Sequence, residues 1–592
     1  MKPTRYLLYA ATILSISTAY SAQQHLITPH FMMRSQGVDA ARHMVGMVPH
    51  TFLLDYDTFY SAFAITPAYN RTFKSSAINE CLFGSDTDCK TITISGSQVT
   101  DRSATDWLAD YFYLPTDFQS TIRFKPVIDN FTFDLQWFFG LDEWYKGLYL
   151  QLYAPIVHSR WDLNFCERVI NPGTDDHAPG YFNGNATGIP RNELLNSFSE
   201  FACGYTIKPT TTLQPVIYQP LDKAQIKQKK HIRTRVADVR ATLGWNAILN
   251  ENGRFALQLQ GAAPTGNKPE GEIFFESIVG NGYHWEFGAG ISGHYIGYRN
   301  EDTDAHCGIY FDATITHLFA KRHTRTFDLF GKPFSRYMLA EKMSSQVSDL
   351  KGGDTAGTAV APTYQFTNQI APLANLTTVQ IDAQVSVQVD LVVMLNHTHG
   401  NWSYDVGYNF WYRGCDSFSR IPECEPLFNN TWALKGDAHV FGFKRDNNEA
   451  IALSATESKA TIYAGTNEIT PTSNPNIDGA QLAFAADNNQ IDTAPGSNTQ
   501  INTSINPILI KAEDIWLVGA RASSSKLFFH ISHSWDDHRW IPFFGLGGEV
   551  EFRHDYHHED CKANCVNQCD TICIPCGVSQ WGVWAKGGIA FE

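Results

Sequence analysis

Between Val379 and Leu395 the chain alternates without a break. Val379, Ile381, Ala383, Val385, Val387, Val389, Leu391, Val393 and Leu395 are apolar, while Gln380, Asp382, Gln384, Ser386, Gln388 and Asp390 between them are polar. A period of two places successive side chains on opposite faces of a strand, and this run far exceeds the usual strand of about five or six residues. A turn at 396–401 follows, and the alternation then restarts in the opposite phase. Trp402, Tyr404, Val406, Tyr408, Phe410 and Tyr412 form one face, and Ser403, Asp405, Gly407, Asn409 and Arg413 the other. On this pattern Val387 faces lipid or a core, and Gln388 faces the opposite way.

The same pattern recurs at 57–73, 118–140, 147–165, 233–249, 254–264, 284–299, 307–322, 378–395, 401–414, 515–531, 541–554 and 579–592. The connections alternate, long after the first segment and short after the second. A soluble sandwich and a membrane barrel both produce alternating strands, so strand length and aromatic placement decide between them. A membrane strand needs about 9–11 residues to cross, and it is flanked by interfacial aromatics. Many of these segments exceed that length, and Trp137, Trp144, Tyr145, Trp402, Tyr404 and Trp540 stand at or beside short turns. The expectation is an all-β, transmembrane antiparallel barrel over 57–592 with at least 12 strands and up to about 18. Short periplasmic turns should face long outer loops at 74–117, 166–232, 331–377, 415–514 and 555–578, with both termini in the periplasm. In the 415–514 stretch, Ala438–Lys444 and Ala450–Ala464 could make an extra hairpin, a constriction loop or a plug. Thr470–Asn506 reads as exposed loop. Ahead of the barrel, 23–56 is expected to be a periplasmic or lumenal segment, with a short helix over Val38–Val45.

Composition narrows the partners. Charged residues are 18% of the chain, against about 25% in soluble domains, and aromatics are 13%. A formal net charge of -15 argues against a nucleic-acid partner, which would need a basic face. Residues 1–22 have the form of a signal peptide: Lys2 and Arg5, an apolar run from Tyr6 to Ile16, then small residues at Ser17, Ala19, Ser21 and Ala22. Export suits the cysteines to disulfides. The candidates are Cys81, Cys89, Cys166, Cys203, Cys415, Cys424, Cys561, Cys565, Cys569, Cys573 and Cys576, all in expected outer loops. Their spacing leaves the connectivity open. Cys307 falls in a short turn and is expected to lack a partner there.

On this footing the chain resembles Gram-negative outer-membrane β-barrels of the porin-like kind. The C-terminal strand carries the resemblance most directly, with Trp581, Val583, Ala585, Gly587, Ile589 and Phe591 on one face. Such barrels end on an aromatic residue read by the insertion machinery. Here Phe591 is followed by Glu592, and Lys586 stands where glycine is usual. The cysteine-rich outer loops are similar to those of cysteine-rich major outer-membrane proteins of intracellular bacteria. The resemblance implies a bacterial outer-membrane location, outer-membrane lipid and the barrel-assembly machinery as partners, and a possible homo-oligomer.

If the polar faces line a lumen, it carries Asp134, Asp238, Arg240, Glu286, Asp312, Gln380, Asp382, Gln384, Gln388, Asp390, Asp405, Arg413, Glu549, Glu551 and Lys586, together with Arg160 and Lys526. Carboxylates outnumber bases, which favours cations modestly. The functional expectation is passive diffusion of small hydrophilic solutes. The alternative is a structural or adhesive surface protein with disulfide-cross-linked loops and the barrel as anchor, and a hydrolase stands third. No Gly-x-Ser-x-Gly elbow or His-Glu-x-x-His motif is present, since Gly290-Ile291-Ser292-Gly293-His294 misses the former. No enzyme activity, catalytic residue, cofactor or metal is expected. His530, His533, Asp536, Asp537 and His538 read as a hydrated turn, and His554, His557, His558 and Asp560 as a solvated loop.

Overall fold

The computed structural model describes residues 27–47, 50–51, 60–84, 88–177, 182, 189–207, 217–343, 366–419, 430–435, 441–443, 450–452, 460–464, 509–535, 540–554 and 572–591. The expected signal peptide lies outside these residues. So do Cys424, Cys561, Cys565 and Cys569, and most of the loop residues expected after Cys424.

Twelve antiparallel strands close into a barrel. They are β1 (Ser61–Thr72), β2 (Val127–Gly140), β3 (Leu148–Asp162), β4 (Val239–Asn250), β5 (Gly253–Ala263), β6 (Glu286–Asn300), β7 (Ala305–Thr326), β8 (Thr378–His399), β9 (Trp402–Arg413), β10 (Val518–Ser534), β11 (Trp540–Arg553) and β12 (Gln580–Phe591). Closure comes from β12 pairing with β1, where Ser61 faces Phe591. Strand β3 is split between two partners. Its first half pairs with β4, and its second half pairs with His231–Val236, a short strand separated from β4 by Ala237 and Asp238. All five connections at one end are short and all six at the other are long, as the spacing predicts. The 264–285 connection joins the long set.

The outward faces are apolar around the circumference. Phe131, Leu243, Leu257, Ile291, Ile315, Val393, Val406, Phe529, Leu546 and Val583 are all exposed. A continuous apolar belt of this kind has lipid as its natural solvent. Trp144, Tyr145, Trp402, Trp535 and Trp540 are exposed at the short-turn end, an interfacial girdle.

The long connections fold together into a cap over the barrel. Ser75–Phe83 is helical, and one small sheet is built from 90–95, 107–108, 119–124 and 166–171. A second joins 217–218, 339–343, 366–372 and 432–434. Between them lies one aromatic-rich core, in which Phe83 stacks on Phe124 at 4.3 Å and Trp107 meets Phe334 at 5.1 Å. Two disulfides, Cys81–Cys576 and Cys415–Cys573, tie the last loop to two others. Cys81 is thus not paired with its near neighbour Cys89, and Cys415 pairs across 158 residues. Cys166, on an edge strand, and Cys203, at the end of the helix Phe198–Ala202, are not bonded to each other and remain thiols. Cys307 is also a thiol, near the short-turn end of β7. Phe441–Phe443 and Ala450–Ala452 do pair as a small hairpin.

The long alternating strand β8 holds the main correction. Val379, Ile381, Ala383 and Val385 are buried, whereas farther down Gln388, Asp390, Val392 and Met394 are buried and Val393 and Leu395 are exposed. The sequence keeps its phase while the face turned inward changes. Pairing between β7 and β8 slips twice, between Thr316/Leu318 and Leu318/Lys321, so both strands bulge at the rim. One extra residue reverses the sidedness of everything beyond it. Above the bulge the apolar face packs into the cap, and below it the apolar face meets lipid. Gln380, Asp382 and Gln384 therefore do not line the lumen; they face outward above the rim, where Asp382 pairs with Arg322 at 3.1 Å. Val387 sits within the bulge, half-buried.

This inversion is testable with one residue type on one strand. Val393→Lys should cost about 2–4 kcal/mol of barrel stability, the range for a lysine facing lipid near the midplane. Gln384→Lys should be tolerated. Urea unfolding of the heat-modifiable band would show the difference, and equal effects would place the bulge wrongly.

Candidate functional site

The lumen is occupied by the chain's own N-terminal segment. It starts in the cap, where Thr28 N–H donates to Cys81 O at 3.1 Å and Phe31 packs edge-on against Trp161 at 5.6 Å. It then descends through the barrel and leaves near the short turns, where His50 stacks on Phe543 at 4.5 Å. Midway it forms one helical turn, α1 (Ala40–Met44), capped by Asp39 accepting from Arg42 N–H. A helix within Val38–Val45 was expected, and its place is lumenal.

Three charged residues fasten this plug to the wall. Arg34 pairs with Asp390 at 3.0 Å and donates to Asn409 at 2.8 Å. Asp39 accepts from Lys526 at 2.8 Å, and Lys526 also reaches Glu549 at 2.8 Å. Arg42 meets Asp134 at 2.7 Å. Lys586 donates to the carbonyls of Arg42 and His43, at 3.0 and 3.2 Å. Lower down, Gly46 N–H donates to Asp405 at 3.2 Å. Gly46 has φ +66°, and a Cβ there would stand 2.8 Å from Cε1 of His530, so the position excludes a side chain on two counts. Glu551 lies within 3.5 Å of Arg34 and accepts from Gln580 at 2.6 Å.

The remaining lumen-lining expectations fall into three groups. Asp134, Arg240, Glu286, Asp312, Gln388, Asp390, Asp405, Glu549, Glu551 and Lys586 face the interior. Asp238 and Arg413 are buried at the rim, where Asp238 accepts from Ser35 at 2.7 Å and Arg413 donates to Asp416 at 2.7 Å. Arg160 is partly exposed beside Asp129 above the membrane belt. The sequence reading overlooked Arg34, Asp39, Arg42 and His43. Their signal was present: polar and charged residues clustered just ahead of the first strand, in a stretch otherwise rich in Met, Ala and Val.

Beside the plug a crevice lies along β2–β8. Its wall is polar: Gln136, Gln151, Gln258, Gln260 and Gln388 with Thr242, Thr314 and Thr316. Its charges include Asp39, Arg240, Arg254, Glu286, Asp312 and Asp390, and Arg240 and Glu286 are joined by two bonds of 2.6 and 2.8 Å. His43 stacks on Tyr153 at 4.0 Å where plug and wall meet. Among the described residues no group of three or more His, Cys, Asp or Glu is arranged to hold a metal.

Comparison with known proteins adds little to this geometry. No family model matches the chain, and no curated protein matches its sequence. Among solved structures it is similar to an outer-membrane channel from Pseudomonas putida F1, at 8% identity and TM-score 0.30, covering 91% of this chain and 99% of that one. A FadL homologue from Pseudomonas aeruginosa gives 7% and 0.22, with 90% of each chain covered. The transport unit of the autotransporter AIDA-I from Escherichia coli gives 7% and 0.21, covering 95% of this chain and 100% of that one. Overlaps this loose carry no argument about strand number, lumen or cargo, so the fold rests on the strand pairing itself.

Where the plug leaves the cap, three imidazoles surround an Arg–Asp–Arg group. His323 bonds Gly282 O at 2.7 Å and Arg325 at 2.9 Å, and His284 bonds Phe319 O at 2.8 Å. Asp416 joins Arg325 and Arg413. Burial, reinforced by Arg325, holds His30 well below its ordinary range. Burial likewise pushes His284 down to about 4, with Arg413 and Arg325 adding to the shift. Both are neutral in the fold and titrate near 6.5 when released, so their stabilisation is complete above that pH and falls as pH drops from about 6.5 towards 4. Hydrogen-exchange protection factors at residues 28–33, corrected for the intrinsic pH dependence of exchange, should therefore fall between pH 6.5 and 4.5, and His284→Gln should blunt the change. A flat profile over that interval would disprove the assignment.

Proposed function

We propose that the chain is a bacterial outer-membrane channel for small hydrophilic solutes, closed at rest by its own N-terminal plug. The observation that carries this reading is the polar crevice beside the plug. A barrel that served only as an anchor could fill its interior with side chains, whereas this one keeps a crevice beside the plug lined in part by amide and hydroxyl groups of β2–β8. The plug is held by ion pairs, hydrogen bonds and apolar contacts, and among the described residues no disulfide joins it to the wall.

Charge favours cations modestly. Of the carboxylates lining the crevice, Asp39, Glu286 and Asp390 are paired with Lys526, Arg240 and Arg34, so the preference rests on Asp312, which makes no salt bridge among the described residues. The reading assigns no enzymatic activity. Export by the N-terminal signal, insertion by the barrel-assembly machinery, contact with outer-membrane lipid and a homo-oligomeric state belong to the same proposal.

A second reading has its own support. The cap is a folded, disulfide-tied body with an aromatic core of its own, which suits a structural or adhesive surface role. Planar-bilayer conductance separates the two. The full chain should pass rare, small currents with modest cation preference. Deleting residues 27–47 should turn these into frequent ohmic openings at least tenfold larger. A folded, inserted deletion variant that stays silent would favour the surface role.

One ion pair offers a subtler probe. Removing one partner of a buried pair costs about 3–5 kcal/mol, because the other charge is left without compensation. Asp390→Asn removes the nearer carboxylate of Arg34 and leaves it Glu551 at 3.5 Å, so it should cost less than that and raise open probability modestly at neutral pH. Asp382→Asn, outside the barrel, should leave the currents unchanged.

A further inference from the structure

The outer face of β1–β3 changes character at the top of the apolar belt. Tyr69, Phe131 and His158 stand side by side on these strands, and two residues farther from the short turns the row reads Arg71, Asp129 and Arg160. Residues two apart share a face, and Phe131 marks this face as outward because it is exposed. Asp129 lies ten residues above Phe139, the last outward residue of β2. Ten residues rise about 34 Å along a strand, or about 25 Å at the usual tilt. That is about the height of the apolar band of an outer-membrane barrel, so the charged row stands at headgroup level.

Positive charge is in surplus here, in a chain of formal net charge -15. Asp129 is buried between the two arginines, each 3.5 Å from one of its carboxylate oxygens, and the Tyr69 hydroxyl donates to it at 2.9 Å. Arg71 and Arg160 themselves stay 48% and 38% exposed. One carboxylate offsets one of two guanidiniums, and each guanidinium carries five N–H donors, so most of them remain for a guest. Beyond this row Lys230 approaches Asp162 at 3.8 Å, and Lys125 is exposed with no ion pair among the described residues. Four cations thus stand against two carboxylates. Below them Phe131, Phe133 and Ile156 are exposed and apolar.

We propose that Arg71 and Arg160 form a headgroup site for the phosphate of an outer-leaflet lipid, whose acyl chains lie over Phe131, Phe133 and Ile156. The assignment rests on the barrel's place in an outer membrane and not on the channel reading. A phosphate accepts paired hydrogen bonds from planar guanidinium forks, and its charge offsets the surplus on this face. A zwitterionic headgroup brings its own cation and offsets less of it. The apolar face directly beneath favours a phosphate carried on acyl chains over one free in solution.

The test is native mass spectrometry of the full chain, stripped of lipid in detergent and then titrated with dioleoyl phosphatidic acid or dioleoyl phosphatidylcholine. One phosphatidic acid should be retained at a concentration at least about tenfold lower than phosphatidylcholine requires. Arg71→Gln combined with Arg160→Gln should remove most of that preference, and Arg299→Gln, at the short-turn end, should leave it unchanged. Asp129→Asn should strengthen retention, a gain that mere damage to the patch would not produce. The proposal fails if both lipids are retained equally, or if the double variant, still folded by heat modifiability, retains phosphatidic acid like the parent. Equal weakening by Arg299→Gln would reduce the effect to overall charge and overturn the site. Displacement of the lipid by an equal concentration of inorganic phosphate would overturn it in favour of a free-anion site. Insertion of the same preparation into liposomes separates the two claims. A chain that inserts without a headgroup preference loses this site alone, and one that enters no bilayer loses the membrane placement and the site with it.

Discussion

A barrel of twelve strands encloses more space than its own wall fills, and every inward side chain must find a partner inside. Eight strands are packed by side chains, while about 16–18 leave a water channel. This chain meets the intermediate case by returning its N-terminal segment through the lumen. Arg34, Asp39 and Arg42 of that segment are the counter-charges of Asp390, Lys526 and Asp134. Without the plug, Asp390 and Asp134 would lose their ionic partners in the wall. Barrel wall and plug are thus one electrostatic unit, and the crevice is what they leave uncovered.

The cap obeys the opposite solvent rule. Its apolar residues point inward, as in a soluble protein, while the barrel below points them outward to lipid. Strands β7 and β8 belong to both regimes, and they cross from one to the other at paired bulges. The register slip supplies the half-turn of the pleat that neither strand could make by continuing straight. The two disulfides lie on the cap side of this boundary and join loops far apart in the chain. Cap and barrel are therefore coupled mainly by continuous strands and by the plug, whose first residues lie in the cap core and whose last lie at the short turns.

The plug is held in the barrel by charge and by apolar packing together: Val38 meets Trp411 and Ala522, and Ala41 and Val45 pack with Tyr310, Met394, Phe528 and Trp584. Buried ion pairs contribute little net stability, because desolvation offsets much of their attraction. They do define position sharply, since each depends on a particular partner. The ion pairs thus locate the plug, and the apolar contacts beside them add to its hold. The imidazoles and guanidiniums at its upper end add a dependence on protons at the point where it leaves the cap.

The architecture was largely legible in the sequence. Period-two alternation, the even number of segments, the long–short rhythm of the connections and the turn-side tryptophans are local properties, and the pleat translates them directly into strands and faces. The lumenal residues Asp134, Glu286, Asp312, Asp405 and Glu549 followed from the same rule. It failed for Gln380, Asp382 and Gln384, because a bulge changes which face points inward without disturbing the alternation of residues. It was also silent on the cysteines, since Cys81–Cys576 and Cys415–Cys573 depend on which loops meet over the barrel. The plug lay beyond it for a related reason. Arg34 and Arg42 look like ordinary charges ahead of a first strand, and only a closed barrel around them supplies the carboxylates that draw them in. Sequence by itself determined what each strand could face; tertiary structure decided what it does face, because burial belongs to the assembled wall and not to any one segment.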